Sequence, residues 1–175
     1  MLEGLKERVW KANRDLVRHG LVALTWGNAS GLDRKKGVMA IKPSGVSYDD
    51  LKPEEMVLVG LDGEKVEGRL EPSSDAPTHL ELYRAFSGIG GVVHAHSEFA
   101  TIFAQAGREV PCLGTTHADI FYGAVPVTRP LKRSEVVRDY ERNTGRAIVE
   151  RFKGLDPAER PGVLAAGHGP FSWGP

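Results

Sequence analysis

Gly91-Val92-Val93-His94-Ala95-His96 reads as an apolar strand that carries two imidazoles. In extended backbone, side chains two positions apart leave the same face, so His94 and His96 point together while Val93 and Ala95 face the other way. Such a pair chelates. Zinc accepts neutral imidazole and does chemistry with three protein ligands and one open position. His168, on the separate segment Ala166-Gly167-His168-Gly169-Pro170, is the candidate third ligand. Taken alone, these residues leave one alternative open, three histidines hydrogen-bonded in a core.

Working outward, Gly90-Gly91 closes a helix that Pro77 starts and that runs through Leu80, Tyr83 and Phe86, Pro being suited to a first helical turn. Farther upstream, Leu2, Leu5, Val9, Ala12 and Leu16 recur at three- and four-residue steps and Gly20 follows as a C-cap, which predicts an amphipathic first helix. Strands are expected around Ser30–Leu32, Gly37–Ile41 and Met56–Leu61, the last turning at Asp62-Gly63 into a hairpin. Downstream, helical patterns cover Glu98–Ala106 and Ser134–Phe152, with strands at Val125–Val127 and Gly162–Ala165. The order predicts a mixed α/β layered domain with an antiparallel early sheet. No repeat, low-complexity tract or linker divides it.

The chain has 175 residues, enough for one domain that buries about 70% of its unfolded surface. Lys plus Arg and Asp plus Glu balance at 23 each, which leaves no bulk attraction to nucleic acid or an anionic membrane. The lone Cys112 suits a reducing cytosol, no signal-peptide pattern opens the chain, and no apolar run approaches the ~20 residues of a membrane span.

Three segments outside the periodic elements offer hydroxyls and backbone N–H groups: Thr25-Trp26-Gly27-Asn28-Ala29-Ser30, Lys42-Pro43-Ser44-Gly45 and Pro72-Ser73-Ser74-Asp75. The third precedes a predicted helix, whose N-terminal dipole favours phosphate. Each is also readable as a turn or a cap. Their recurrence beside a candidate metal site suits a sugar-phosphate enzyme. Asp75 is either a helix cap or a catalytic carboxylate, a fourth metal ligand or a base that shuttles protons, and Asp119, in Thr115-Thr116-His117-Ala118-Asp119, is either a turn residue or a second carboxylate of the site.

Together Gly27-Asn28-Ala29-Ser30, Lys42-Pro43-Ser44-Gly45, Ser73-Ser74-Asp75, His94-Ala95-His96, Thr115-Thr116-His117-Ala118-Asp119 and His168-Gly169-Pro170-Phe171 resemble the class II aldolase and pentulose-phosphate epimerase family. Within it the pattern is most similar to the L-ribulose-5-phosphate 4-epimerases, and it runs from the first helix to Trp173. The resemblance implies a three-layer α/β/α sandwich with a mainly antiparallel central sheet, a single catalytic domain over residues 1–175, and a cytoplasmic homotetramer with active sites at subunit interfaces. It implies zinc on His94, His96 and His168 with Asp75 at or near the metal, manganese being the other ion this ligand set accepts. Gly27, Asn28, Ser44, Gly45, Ser73 and Ser74 match phosphate-binding positions, with Lys42 adjacent. Asp119 matches the proton donor and acceptor, and Glu141 and Thr115 match polar positions near it. The implied reaction is retro-aldol cleavage of C3–C4 and re-addition, giving D-xylulose 5-phosphate. The family's chains continue into helices and a tyrosine that acts across the interface, so a chain ending at Pro175 is expected to lack them.

The sister activity is an aldolase cleaving a deoxy-ketose 1-phosphate of the L-fuculose type. Family aldolases carry Glu where this chain has Asp75, one methylene shorter and withdrawn by roughly 1.5 Å, a displacement able to cost ~100-fold; Asp75 favours the epimerase. A cupin-type dioxygenase wants a Glu about four residues beyond the His pair and an all-β chain, whereas Glu98 stands at two and opens a helix. A catalytically impaired metal-binding or interaction subunit is the third alternative.

Overall fold

A computed structural model describes residues 2–175 of the chain. Helix α1 (Glu3–Arg18) is followed by strands β1 (Asn28–Asp33), β2 (Val38–Ile41), β3 (Val57–Gly60) and β4 (Lys65–Glu67), then α2 (Ala76–Ala85), β5 (Gly91–His94), α3 (Glu98–Gln105) and α4 (Thr115–Ala118). Helices α5 (Arg133–Val137) and α6 (Tyr140–Arg151) lead to β6 (Gly162–Leu164) and β7 (Pro170–Gly174). The seven strands form one sheet in the order β4-β3-β2-β1-β5-β7-β6, each neighbouring pair antiparallel.

Period-two alternation along the strands builds a core on each face of this sheet. Met39, Ile41, Val57 and Val59 point to one side, where they meet Leu80 and Tyr83 of α2 and Ile148 of α6. Ala40 and Leu58 point to the other, against Leu5 and Val9 of α1. This is the expected three-layer α/β/α sandwich around an antiparallel sheet. Beyond Ile41 strand β2 leaves β1, and Asn13 of α1 takes its place, donating from Nδ2 to the Ala29 carbonyl (3.0 Å) and accepting the Ala29 N–H (2.9 Å). A buried helix residue thereby completes the ladder where the sheet opens toward the site.

Three expectations need correction. The pattern over Ser134–Phe152 is two helices, α5 and α6, not one. Between them Asp139 is in the left-handed region at φ +54, which Asp tolerates better than most residues. Asn143 Nδ2 donates to the carbonyls of Glu135 and Arg138 (3.1 and 2.6 Å), supplying side-chain bonds that compete with a continuous helix. Val125–Val127 makes only isolated bridges, to Val110 and Leu164, because Pro126 has no N–H to extend a ladder. Strand β7 was not anticipated, although Phe171 and Trp173 are buried and Ser172 between them is exposed.

Helix α6 lies so close to α2 that a Cβ on Gly145 would stand 2.7 Å from Glu81 Cβ and 3.0 Å from the Thr78 carbonyl. Overpacking at such a contact costs about 2 kcal/mol. Gly145→Val is therefore expected to lower the melting temperature by about 6 °C, and an unchanged melting curve contradicts this account of the α2–α6 seam.

Candidate metal centre and cavity

The beginnings of β1, α2 and β7 and the end of β5 meet at one edge of the central strands, with Asn28 paired to His94 and His94 to Phe171. Gly27 turns the chain into β1 at φ +92; a Cβ there would come within 3.0 Å of the His94 carbonyl. Only glycine allows the two segments to approach so closely.

His94, His96 and His168 converge, their candidate ligand atoms all within 4.8 Å of one another. The route differs from the strand expected for the pair, because β5 ends at His94 and His96 follows in irregular backbone. Even so, His94 Nε2 and His96 Nε2 stand 2.9 Å apart. His94 Nδ1 donates to the Pro170 carbonyl (2.9 Å); a carbonyl only accepts, so the proton sits on Nδ1 and the Nε2 lone pair faces the cluster. The His94 ring also stacks on Phe171 at 4.2 Å. Burial pushes His94 down to about 4 against the pull of Asp75, and it lowers His96 and His168 as well. Neutral imidazoles are the form that binds a cation, and His94 already turns its Nε2 lone pair inward, so this donor set fits a divalent metal.

Around the histidines lies a cavity of about 470 Å³. It is lined by Gly27, Asn28, Lys42, Ser44, Gly45, Ser73, Ser74 and Asp75, and by Glu141 at the start of α6. The two serine segments are joined by backbone bonds, Ser44 N–H to the Glu71 carbonyl and Ser73 N–H to the Lys42 carbonyl, both 2.9 Å. Asp75 occupies the N-cap position of α2 but caps nothing. Its Oδ2 instead accepts Asn28 Nδ2 at 2.7 Å, and the same amide reaches Ser73 Oγ at 3.1 Å. Asp75 lines the cavity without belonging to the three-histidine cluster. Lys42 is buried, its Nζ donating to the carbonyls of Val46 and Pro43 (2.7 and 3.3 Å), and desolvation lowers it to about 8. Asp119 and Thr115 lie outside the cavity lining, on and just after the exposed helix α4.

Tyr140 and His79 were not among the expected residues. The Tyr140 hydroxyl lies 3.0 Å from His168 Nδ1 and its ring lines the cavity. The signal for it was faint: in a helical pattern Tyr140 shares a face with Thr144, Ala147 and Ile148, which are buried. His79 is wholly buried on α2, with Nδ1 2.7 Å from Ser30 Oγ, which in turn bonds the Tyr83 hydroxyl at 2.8 Å. Asn28 and Ser30 on β1 thus meet Asp75 and His79 on α2, two residues of strand matching one turn of helix.

Desolvation pushes His79 down to about 3 in the fold, against 6.5 for a free imidazole. Above pH 6.5 both states leave it neutral and its contribution is complete. Below that, the unfolded chain takes up a proton that the folded protein refuses, so stability falls with pH by up to about 1.4 kcal/mol per unit until about pH 3. In chelator-treated protein, His79→Gln is expected to flatten the loss of stability between pH 7 and 5 seen by urea unfolding. A slope equal to that of the wild type contradicts the assignment.

The class II aldolase and adducin N-terminal domain family matches residues 7–175. The chain belongs to this family. As a class II aldolase-family chain it is 52% identical over 173 residues to the L-ribulose-5-phosphate 4-epimerase UlaF of Salmonella paratyphi B, covering 99% of this chain and 76% of that protein. The UlaF of Salmonella typhi matches to the same degree. Among solved class II structures, an L-fuculose 1-phosphate aldolase superposes with a TM-score of 0.81 at 29% identity, over 98% of this chain and 75% of that one. The L-fuculose-1-phosphate aldolase of Thermus thermophilus does so at 0.73 and 28%, over 97% and 78%. Among the described residues, no helix is long and apolar enough to cross a membrane.

Proposed function

We propose that this chain is a zinc-dependent L-ribulose-5-phosphate 4-epimerase, forming D-xylulose 5-phosphate by breaking and remaking C3–C4. The observation that carries the reading is the convergence of His94, His96 and His168 on the rim of a cavity walled by Ser44, Gly45, Ser73 and Ser74, in a chain 52% identical to an epimerase. Held by His94, His96 and His168, zinc would supply Lewis-acid stabilisation of negative charge developing on the substrate. Ser44, Gly45, Ser73, Ser74 and Asn28, beside the start of α2, hold the phosphate. That anchor keeps the aldehyde fragment at high effective concentration while it rotates and is attacked on its other face.

Asp119, with Thr115 at the start of the same short helix, takes the C4 hydroxyl proton on cleavage, and Glu141 meets the substrate from the cavity wall. Because Asp119 stands outside the cavity of one chain, its part depends on assembly. The assembly is a homotetramer in this reading, and the exposed apolar side chains Phe99, Ile102, Leu113 and Ile120, on or near α3 and α4, are surface that such an interface would cover. Asp119→Asn is expected to leave zinc content unchanged while slowing epimerisation; a rate equal to that of the wild type removes Asp119 from the mechanism. A reducing cytoplasm suits the free, exposed Cys112.

The test is incubation of zinc-loaded protein with L-ribulose 5-phosphate, with chromatography of the products. D-xylulose 5-phosphate is expected. The solved relatives named as L-fuculose 1-phosphate aldolases favour a second reading, cleavage of a deoxy-ketose 1-phosphate. Turnover of that substrate with no epimerisation decides for it.

A further inference from the structure

Two of the three cluster histidines are held at Nδ1 by different kinds of partner. His94 faces the Pro170 carbonyl, which only accepts, so its proton is fixed on Nδ1 whatever fills the cluster. His168 faces the Tyr140 hydroxyl at 3.0 Å, a group that donates or accepts. Nδ1 being engaged there, Nε2 is the ligand atom of His168. A cation on Nε2 occupies its lone pair and requires the proton on Nδ1. Nδ1–H then donates to the phenolic oxygen, and the phenol O–H is released from His168.

On one side of that hydroxyl lies the cavity that holds Ser44, Ser73 and Asp75, and Thr144 of its own helix is its other polar neighbour. Tyr140 and His168 together line both the 470 Å³ cavity and a smaller one of about 240 Å³, where Thr128 and Thr144 stand among Leu131, Val136 and Ala147, so the pair forms the partition between them. The main chain that carries Tyr140 is pinned: Thr144 Oγ1 donates to the Tyr140 carbonyl (2.9 Å) and Thr78 Oγ1 to the Glu141 carbonyl (2.5 Å). The left-handed Asp139 immediately before it sets the direction of entry into α6. A strained residue beside a site residue is where such constraint is often found.

We propose that Tyr140 couples the metal to the sugar: it orients His168 through Nδ1, and with the cation bound it presents its own O–H to a hydroxyl or carbonyl oxygen of the sugar phosphate. The inference rests on the metal centre described under Proposed function. Coupling of this kind is reciprocal, so sugar phosphate tightens zinc by the factor by which zinc tightens sugar phosphate.

Tyr140→Phe removes the hydroxyl and keeps the ring. Zinc affinity, measured by chelator competition without turnover, is expected to fall 10- to 100-fold, the usual effect of losing the partner of a ligating histidine. L-Ribulose 5-phosphate is expected to tighten zinc in the wild type and to do so much less in the variant. With zinc saturating, KM is expected to rise more than kcat falls. In wild-type protein, nitrogen NMR is expected to show His168 protonated at Nδ1 once zinc is added. Wild-type protein that binds no zinc overturns the metal centre and this proposal with it. Wild-type protein that binds zinc, beside a folded Tyr140→Phe of equal zinc affinity and equal coupling, overturns the role of Tyr140 alone.

Discussion

Replacing His94 with alanine is expected to leave a folded protein that no longer retains zinc and turns over L-ribulose 5-phosphate about 10³-fold more slowly, if at all. Of the three imidazoles His94 is the most buried, at 1% exposure, and the best held, by the Pro170 carbonyl at Nδ1 and the face of Phe171. Its Nε2 is also the atom that meets His96 at 2.9 Å. Two ring nitrogens that close are within reach of one cation shared with His168. Removing one of three ligands abolishes the chelate, and with it a Lewis acid that contributes several kcal/mol to charge stabilisation; about 4 kcal/mol corresponds to about three decades of rate. Elemental analysis of purified variant and wild type, with circular dichroism as a check on folding, decides the matter. Full zinc content in His94→Ala sinks the metal assignment.

The fold was legible wherever periodicity was regular. The α1 stripe of Leu5, Val9 and Leu16 is buried as its spacing requires, and Asp62-Gly63 does turn β3 into β4, with Gly63 N–H bonded to the Gly60 carbonyl. What escaped was decided by single side chains acting on backbone. Asn143 capping α5 and the left-handed Asp139 split a pattern that propensity alone joins. Strand β7 hid because Pro170 and Gly174 bound it like a turn, although Phe171-Ser172-Trp173 alternates as a strand should.

For the site, the spacing of His94 and His96 revealed the pair but not its geometry, since the strand stops between them. The glycine and serine segments, far apart in sequence, line one cavity. Tyr140 was missed because a tyrosine at the head of a helix resembles any amphipathic residue until the fold sets it against His168.

Asp75→Asn carries the second large expected effect. The carboxylate is isosteric with the amide, and an asparagine Oδ1 still accepts the Asn28 Nδ2–H that Asp75 now accepts at 2.7 Å, so the local packing survives. What disappears is charge. Asp75 is the acidic group whose field raises His94, His96 and His168 against the desolvation that lowers them; the same field attracts a divalent cation placed among those rings. Zinc affinity is therefore expected to fall by 10- to 100-fold, as when an outer partner of a metal site is lost. At saturating zinc, epimerisation is expected to remain depressed by at least about 100-fold, because an amide neither accepts nor returns a proton in the cavity. Chelator competition separates the first effect from the second, measured as kcat with zinc in excess. If excess zinc restores the full rate, Asp75 acts on the cation alone; if neither quantity moves, Asp75 is a structural partner of Asn28 and no part of the chemistry.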